Sequence, residues 1–134
     1  MLTIILATLL NLQTTPQDLY KLNYEQDGSG VGTVRLTIEP QNGFKWGGCP
    51  GSSYNAVLRL QSNRNVILPK RRFTSRNGDF SQEGKNGFVD IPFRLKIFEE
   101  QTIEGTIDFL ICKENICQPA RAKIQFKISG EPGC

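Results

Sequence analysis

From Tyr20 to Ile128 the chain consists largely of short stretches in which apolar and polar residues alternate between turn residues. That period of two is the pattern of strands with one buried face. Tyr20, Leu22 and Tyr24 alternate ahead of the turn at Asp27-Gly28-Ser29-Gly30, and Val34, Leu36 and Ile38 alternate after it. Ala56, Leu58 and Leu60 form a further short run, and Val66 and Leu68 a shorter one ended by Pro69. Val89, Ile91, Phe93, Leu95 and Ile97 make the longest clean alternation. Pro92 lies inside it and has no N–H to donate, so this strand is expected at an edge or with that position outside the ladder. Two last strands are expected to turn Ile103, Ile107, Phe109 and Ile111, then Ala122, Ile124, Phe126 and Ile128, toward one core. The stretch Arg71 to Asn86 is poor in apolar residues and reads as a long excursion. No window holds a helical period, so the expectation is an all-β fold with seven or eight short strands in two packed sheets.

One core is also what the length allows, since 134 residues are too few for two ordinary domains. Residues 1–18 stand apart as a signal-like apolar segment and linker, leaving 19–134 as the domain. Leu2 to Leu12 reads LTIILATLLNL, the length of a signal-peptide core and short of the roughly 20 residues of a membrane span. No Lys or Arg precedes this run and no Ala-x-Ala follows it, so a buried first strand or helix is the competing reading. Export would place the four cysteines in an oxidising compartment. The chain has no Asn-x-Ser/Thr acceptor, which favours a bacterial periplasm or secretion over a glycosylated ectodomain.

The charge is +3, small for a protein that must neutralise many phosphates, so no nucleic-acid partner is expected. The chain contains no histidine. Ser-His and Cys-His nucleophile pairs and imidazole metal sites are thereby excluded, and hydrolytic chemistry is disfavoured. The cysteines lack paired Cys-x-x-Cys spacing as well, so neither a metal nor another cofactor is expected. The cluster Lys70, Arg71 and Arg72 reads as a solvated loop.

Chemistry therefore falls to Cys112 and Cys117, which bracket Lys113-Glu114-Asn115-Ile116 where the last two strands meet. Residues opposed across antiparallel strands lie within disulfide reach. Closing so short a loop contributes only about 2 kcal/mol in the chain-entropy model, so the bond is poorly placed as a staple. Cys112 is in the outward register of its strand, which should leave at least one sulfur open to solvent, and Lys113 brings a positive charge that favours a thiolate. An inert hairpin bridge and a redox pair both remain compatible with this spacing.

The segment GTIDFLICKENICQPARAKIQFKI resembles the family of N-terminal periplasmic domains of the thiol:disulfide interchange protein DsbD. In that family a strand leads into one cysteine and a second cysteine precedes a Pro and a last strand. GDFSQEGKNGFVDIPFRLKI is similar to the family's cap loop, with Asp79, Phe80, Gly84 and Lys85 in its places, and Asn42-Gly43-Phe44-Lys45-Trp46 to its aromatic-x-aromatic step. The likeness spans roughly Leu19 to Ser129.

It implies an immunoglobulin-like sandwich and thiol-disulfide exchange, a protein oxidoreductase activity. Cys117 would form the mixed disulfide and Cys112 resolve it. Phe80 would shield the sulfurs from the cap loop, and Phe44 and Trp46 would form an aromatic wall beside them, though ordinary core packing accounts for both aromatics equally well. The implied partners are thioredoxin-fold proteins and a membrane or periplasmic reductant, met by a monomer with no stable membrane span of its own. Cys49 and Cys134 are extra to the family pattern, and could pair or stay free. An exported binding or structural module with an inert hairpin disulfide is the alternative.

Overall fold

A computed structural model describes residues 19–47 and 54–130. The signal-like segment, Cys49 and Cys134 lie outside the described residues. Ten strands form two sheets that pack face to face, the all-β sandwich that the alternation foretells.

In the first sheet β1 (Tyr20–Asp27), β2 (Val31–Pro40) and β8 (Asn86–Leu95) run side by side. The far side of β8 is shared by β7 (Phe80–Glu83) and β5 (Val66–Ile67). In the second sheet β10 (Ile116–Ile128) is the edge, followed by β9 (Gln101–Lys113), β4 (Val57–Leu60) and β6 (Arg72–Thr74). β3 (Lys45–Trp46) pairs with the end of β9 beyond β4.

The core is made by the residues the period of two selects. Leu36, Ile38, Ile91, Ile107, Phe109 and Ile124 are among its fully buried members. Gly105 interrupts the apolar series of β9 because a Cβ there would overlap the carbonyl oxygen of Arg59 on the adjoining strand.

Pro92 obeys its covalent constraint without moving β8 to an edge. The Leu95 N–H donates to Gly30 O at 2.6 Å on the β2 side, so by alternation the Pro92 nitrogen points the other way. There β7 covers Asn86–Val89 and β5 covers Arg94–Leu95, and Pro92 falls in the gap between them. The expected excursion from Arg71 to Asn86 is corrected, for it contains β6 and β7. Each is anchored by a single apolar side chain, Phe73 or Phe80, too few to show as a period.

The edge of β10 is covered near its C-terminal end by side chains from the other sheet. Gln26 Nε2 donates to Ser129 O at 2.8 Å, and the Ser129 N–H donates to Gln26 Oε1 at 2.8 Å. Tyr24 stacks on Phe126 with ring centres 5.2 Å apart. Burial pushes the Tyr24 phenol up, while a hydrogen bond with the Gln125 backbone acts in the opposite direction. Side chains that occupy an edge in this way oppose strand addition there. Among the described residues no helix is long and apolar enough to cross a membrane.

Candidate functional site

β9 and β10 form a hairpin whose two-residue loop is Glu114-Asn115, and its register sets Cys117 directly opposite Cys112. The two are disulfide-bonded, with Cα atoms 4.0 Å apart. The orientation of this pair follows from hydrogen bonds elsewhere on β9. Gly47 N–H donates to Leu110 O and Gln61 N–H to Glu104 O, each at 2.8 Å, so even-numbered residues of β9 direct their backbone groups away from β10. Cys112 therefore faces Cys117 across a non-hydrogen-bonded site, where opposed chains approach most closely. In turn the N–H and C=O of Cys117 point to the outer edge of the sheet.

The two sulfur residues differ sharply in exposure. Cys112 is 8% exposed, whereas Cys117 is exposed and is preceded by Ile116, at 66% one of the most exposed large apolar residues described. The expectation that one side of the bridge is open to solvent is met at Cys117 and not at Cys112, whose outward register suggested it but which neighbouring groups cover. Part of the cover on Cys112 comes from Gly47, where an added Cβ would stand 2.8 Å from Cys112 Sγ. Glu114 has φ 55°, a left-handed value that costs a non-glycine residue about 1–2 kcal/mol, so the loop joining the cysteines carries local strain.

Lys45 is the register partner of Cys112 on the side away from Cys117. Directly paired residues share a face, so Lys45, Cys112 and Cys117 form one row on the outer face of their sheet. The cation expected beside the pair was Lys113. Its ammonium lies instead 5.7 Å from the ring centre of Phe44, and alternation puts its side chain on the opposite face from Cys112. Lys45 and Gly47 were not singled out from the sequence. Their role becomes visible only once β3 is known to pair with β9, because a two-residue strand has no period to read.

The aromatic residues sit close by, on the other side of the sheet. Trp46 pairs with Ile111, faces inward and is 1% exposed. Its indole lies between Phe80 and Phe109, at centre distances of 5.3 and 5.9 Å, and rests where any side chain on Gly87 would overlap it. The Trp46 N–H donates to Lys85 O at 2.9 Å, tying β3 to the β7–β8 turn and joining the two sheets at this end. Phe44 follows the Asn42-Gly43 turn, both of whose residues have positive φ, and is partly buried against the core.

Asp79 and Phe80 occupy the corner between β6 and β7. Asp79 Oδ2 accepts the Thr74 N–H at 2.8 Å, its Oδ1 accepts from Lys70, and its own N–H donates to Thr74 O at 3.1 Å. Partial burial pushes the Asp79 carboxyl up, but the Lys70 and Thr74 hydrogen bonds together with the Lys70 charge hold it below the ordinary aspartate value. Asp79 thus clasps the corner shut. Phe80, half-buried, places its ring on Trp46 on the core side of β3, whereas the disulfide lies on the outer side. This position is that of a packing residue. Phe80→Ala is expected to lower stability by about 1–3 kcal/mol, below the range for a fully buried Phe. It should leave the rate of disulfide reduction by dithiothreitol within about twofold, since rate follows access to the sulfurs. Unchanged stability with much faster reduction would make Phe80 a lid.

The arrangement is that of one exposed and one buried cysteine at the end of a disulfide-bonded hairpin. Comparison with protein-family models, with curated proteins and with solved structures finds no match for this chain.

Proposed function

We propose that the chain is a thiol-disulfide exchange domain working through Cys112 and Cys117, in the manner of the DsbD N-terminal domains it resembles, in a bacterial periplasm or outside the cell. The observation that carries this reading is the asymmetry of the pair. Cys117 is exposed with its backbone groups at the sheet edge, and Cys112 is enclosed beneath Gly47.

The chemistry follows from that asymmetry. A thiolate of a partner dithiol, on a thioredoxin-fold protein, attacks Cys117 Sγ. A bond forms between the partner and Cys117, the Cys112–Cys117 bond breaks, and its electron pair leaves on Cys112 as thiolate. The partner's second thiol then attacks its own bridging sulfur and releases Cys117. The partner ends as a disulfide, this chain as two thiols, and two electrons have moved. Run in reverse, the reduced domain passes the electrons to an oxidised partner, with Cys117 as nucleophile and Cys112 as the resolving thiol.

Lys45 beside Cys112 favours the anionic leaving sulfur, as a neighbouring cation does for any thiolate. The test is the reduction potential, measured by equilibration with dithiothreitol of known thiol:disulfide ratio. The expected value lies above about −300 mV, the region of exchange-active pairs. A lower value would make the bridge a staple and the chain a binding or structural module.

A further inference from the structure

The outer faces of the two sheets carry opposite charge. On the β1–β2–β8–β7 face Glu25, Asp27, Glu39, Glu83 and Asp90 outnumber Lys21, Arg35 and Arg94. On the β10–β9–β4–β6 face the cations are Lys45, Arg59, Arg72, Arg121, Lys123 and Lys127, against Glu104, Asp108 and Glu100, the last paired with Lys127 at 3.6 Å. The disulfide opens on this second face.

The arrangement of these cations is not what sheet stability would select. Lys123, Thr106, Arg59 and Arg72 are consecutive register partners across four strands, a row with three cations and no carboxylate. Arg59 and Arg72 are directly opposed, and like charges in that relation destabilise a sheet. Asp108 is divided between two guanidiniums, bonding Arg121 Nε and lying 3.4 Å from Arg59 Nη1. The row therefore remains electropositive.

We propose that this face is the docking surface for the exchange partner, and that the partner is a protein bearing an acidic strip at a fixed distance from its reactive cysteine. The inference rests on the exchange reading above and names the partner class. The distance follows from strand geometry. Beyond Lys45, which lies beside the disulfide, Arg121 is four residues along β10 from Cys117 and Lys123 six, which puts these two about 13 and 20 Å from the disulfide. Charge complementarity of this kind speeds encounter and fixes register. Nucleic acid and lipid suit the surface less well. The large exposed apolar residues Val31, Ile67, Ile97 and Phe98 lie off this face, and Ile116 sits at the hairpin loop, so the basic rows offer no large apolar side chains for insertion, and Tyr54, half-buried within electrostatic reach of Asp108 and Arg121, is a single ring rather than the succession that base stacking uses.

The test uses the whole protein with its disulfide intact and a synthetic peptide that has one cysteine and glutamates four to six residues along. At an ionic strength of about 0.01 M this peptide should open the disulfide about tenfold faster, or more, than its glutamine counterpart. The advantage should vanish near 1 M salt, where the Debye length is about 3 Å. Replacing Arg59, Arg72 and Lys123 together by Gln should abolish the advantage and leave the rate with neutral dithiothreitol unchanged. Replacing Lys21, Arg94 and Lys96 by Gln removes the same charge from elsewhere and should preserve most of it.

Equal rates for the two peptides, or equal loss in the two triple variants, would overturn the proposal. Binding of the peptide with serine in place of cysteine, followed by fluorescence anisotropy, tests the surface apart from the chemistry. If no thiol opens the disulfide, the exchange reading fails. The docking face still stands if the serine peptide binds and the first triple variant loses that binding, and falls if it does not bind. Tighter binding of a single-stranded oligonucleotide, or of vesicles containing an anionic phospholipid, than of this peptide would overturn the choice of partner.

Discussion

Cys112→Ser is expected to convert the chain into a trap that accumulates mixed disulfides with thioredoxin-fold proteins, whereas Cys117→Ser is expected to accumulate none. The difference should be large because it rests on access. Of the bonded pair, Cys112→Ser leaves the thiol of the exposed Cys117 and removes the sulfur that would release a captured partner. Cys117→Ser leaves that of Cys112, 8% exposed and partly covered by Gly47. Exchange requires approach of one sulfur to another, which burial of Cys112 obstructs. Alkylation by iodoacetamide should show the same order, about 100-fold faster for Cys112→Ser than for Cys117→Ser. Equal trapping and equal alkylation by the two variants would remove the distinction between attacking and resolving cysteine.

The second large effect is expected at Trp46. Its indole is fully buried between Phe80 and Phe109, and its strand links β9 to the β7–β8 turn. Trp46→Ala removes both stacking surfaces and leaves a cavity that β3, held by the Lys85 carbonyl, cannot collapse to fill. A loss of about 3–5 kcal/mol is expected, a large part of the stability of a small domain. Trp46 is the only tryptophan, so urea unfolding of the variant must be followed by circular dichroism rather than by tryptophan fluorescence. A loss under about 1 kcal/mol would show that the two sheets are held together elsewhere at this end, since that is the range of substitutions remote from any core.

The parts of this architecture legible in the sequence were those written in repeats. In β2, β8 and β9 the buried residues recur at every second position four or more times, and in β10 they do so with Ala122 half-buried, which marks both the strand and its inward face. The opposition of Cys112 and Cys117 was legible for the same reason, since two long strands joined by a tight loop admit few registers.

What could not be read was set by contacts between distant segments. β3 and β5 have two residues each, and no alternation exists within two residues. Lys45 acquires its place beside the disulfide only through the pairing of residues 45–46 with 111–112. The aromatic step Phe44-Lys45-Trp46 is visible in the sequence as a pattern, but the face each residue takes is not. A β3 paired with β9 directs Trp46 into the core and Lys45 to the sulfurs, the reverse of a wall made of aromatic rings. Phe80 stood out as a lone apolar residue among polar neighbours, which suggests a mobile cover. Its ring is accounted for by Trp46, which lies 34 positions earlier and which no local pattern associates with it.

The β9–β10 hairpin also determines where the domain can be held. Leu19 and Tyr20 join the sandwich beside the Gln41–Phe44 turn, at the disulfide end, since the Gln41 N–H bonds Leu19 O and Tyr20 packs edge-on against Phe109. Ser129 and Gly130 leave at the opposite end, about 40 Å along β10 from Cys117 at the ordinary rise of a strand. A short tether attached at Leu19 thus brings the disulfide toward whatever surface anchors it. One attached at Gly130 holds it away from that surface by the full length of the sheet. In a form held by a short link at Leu19 or at Gly130, the choice of end therefore sets whether the disulfide faces the support or the solution.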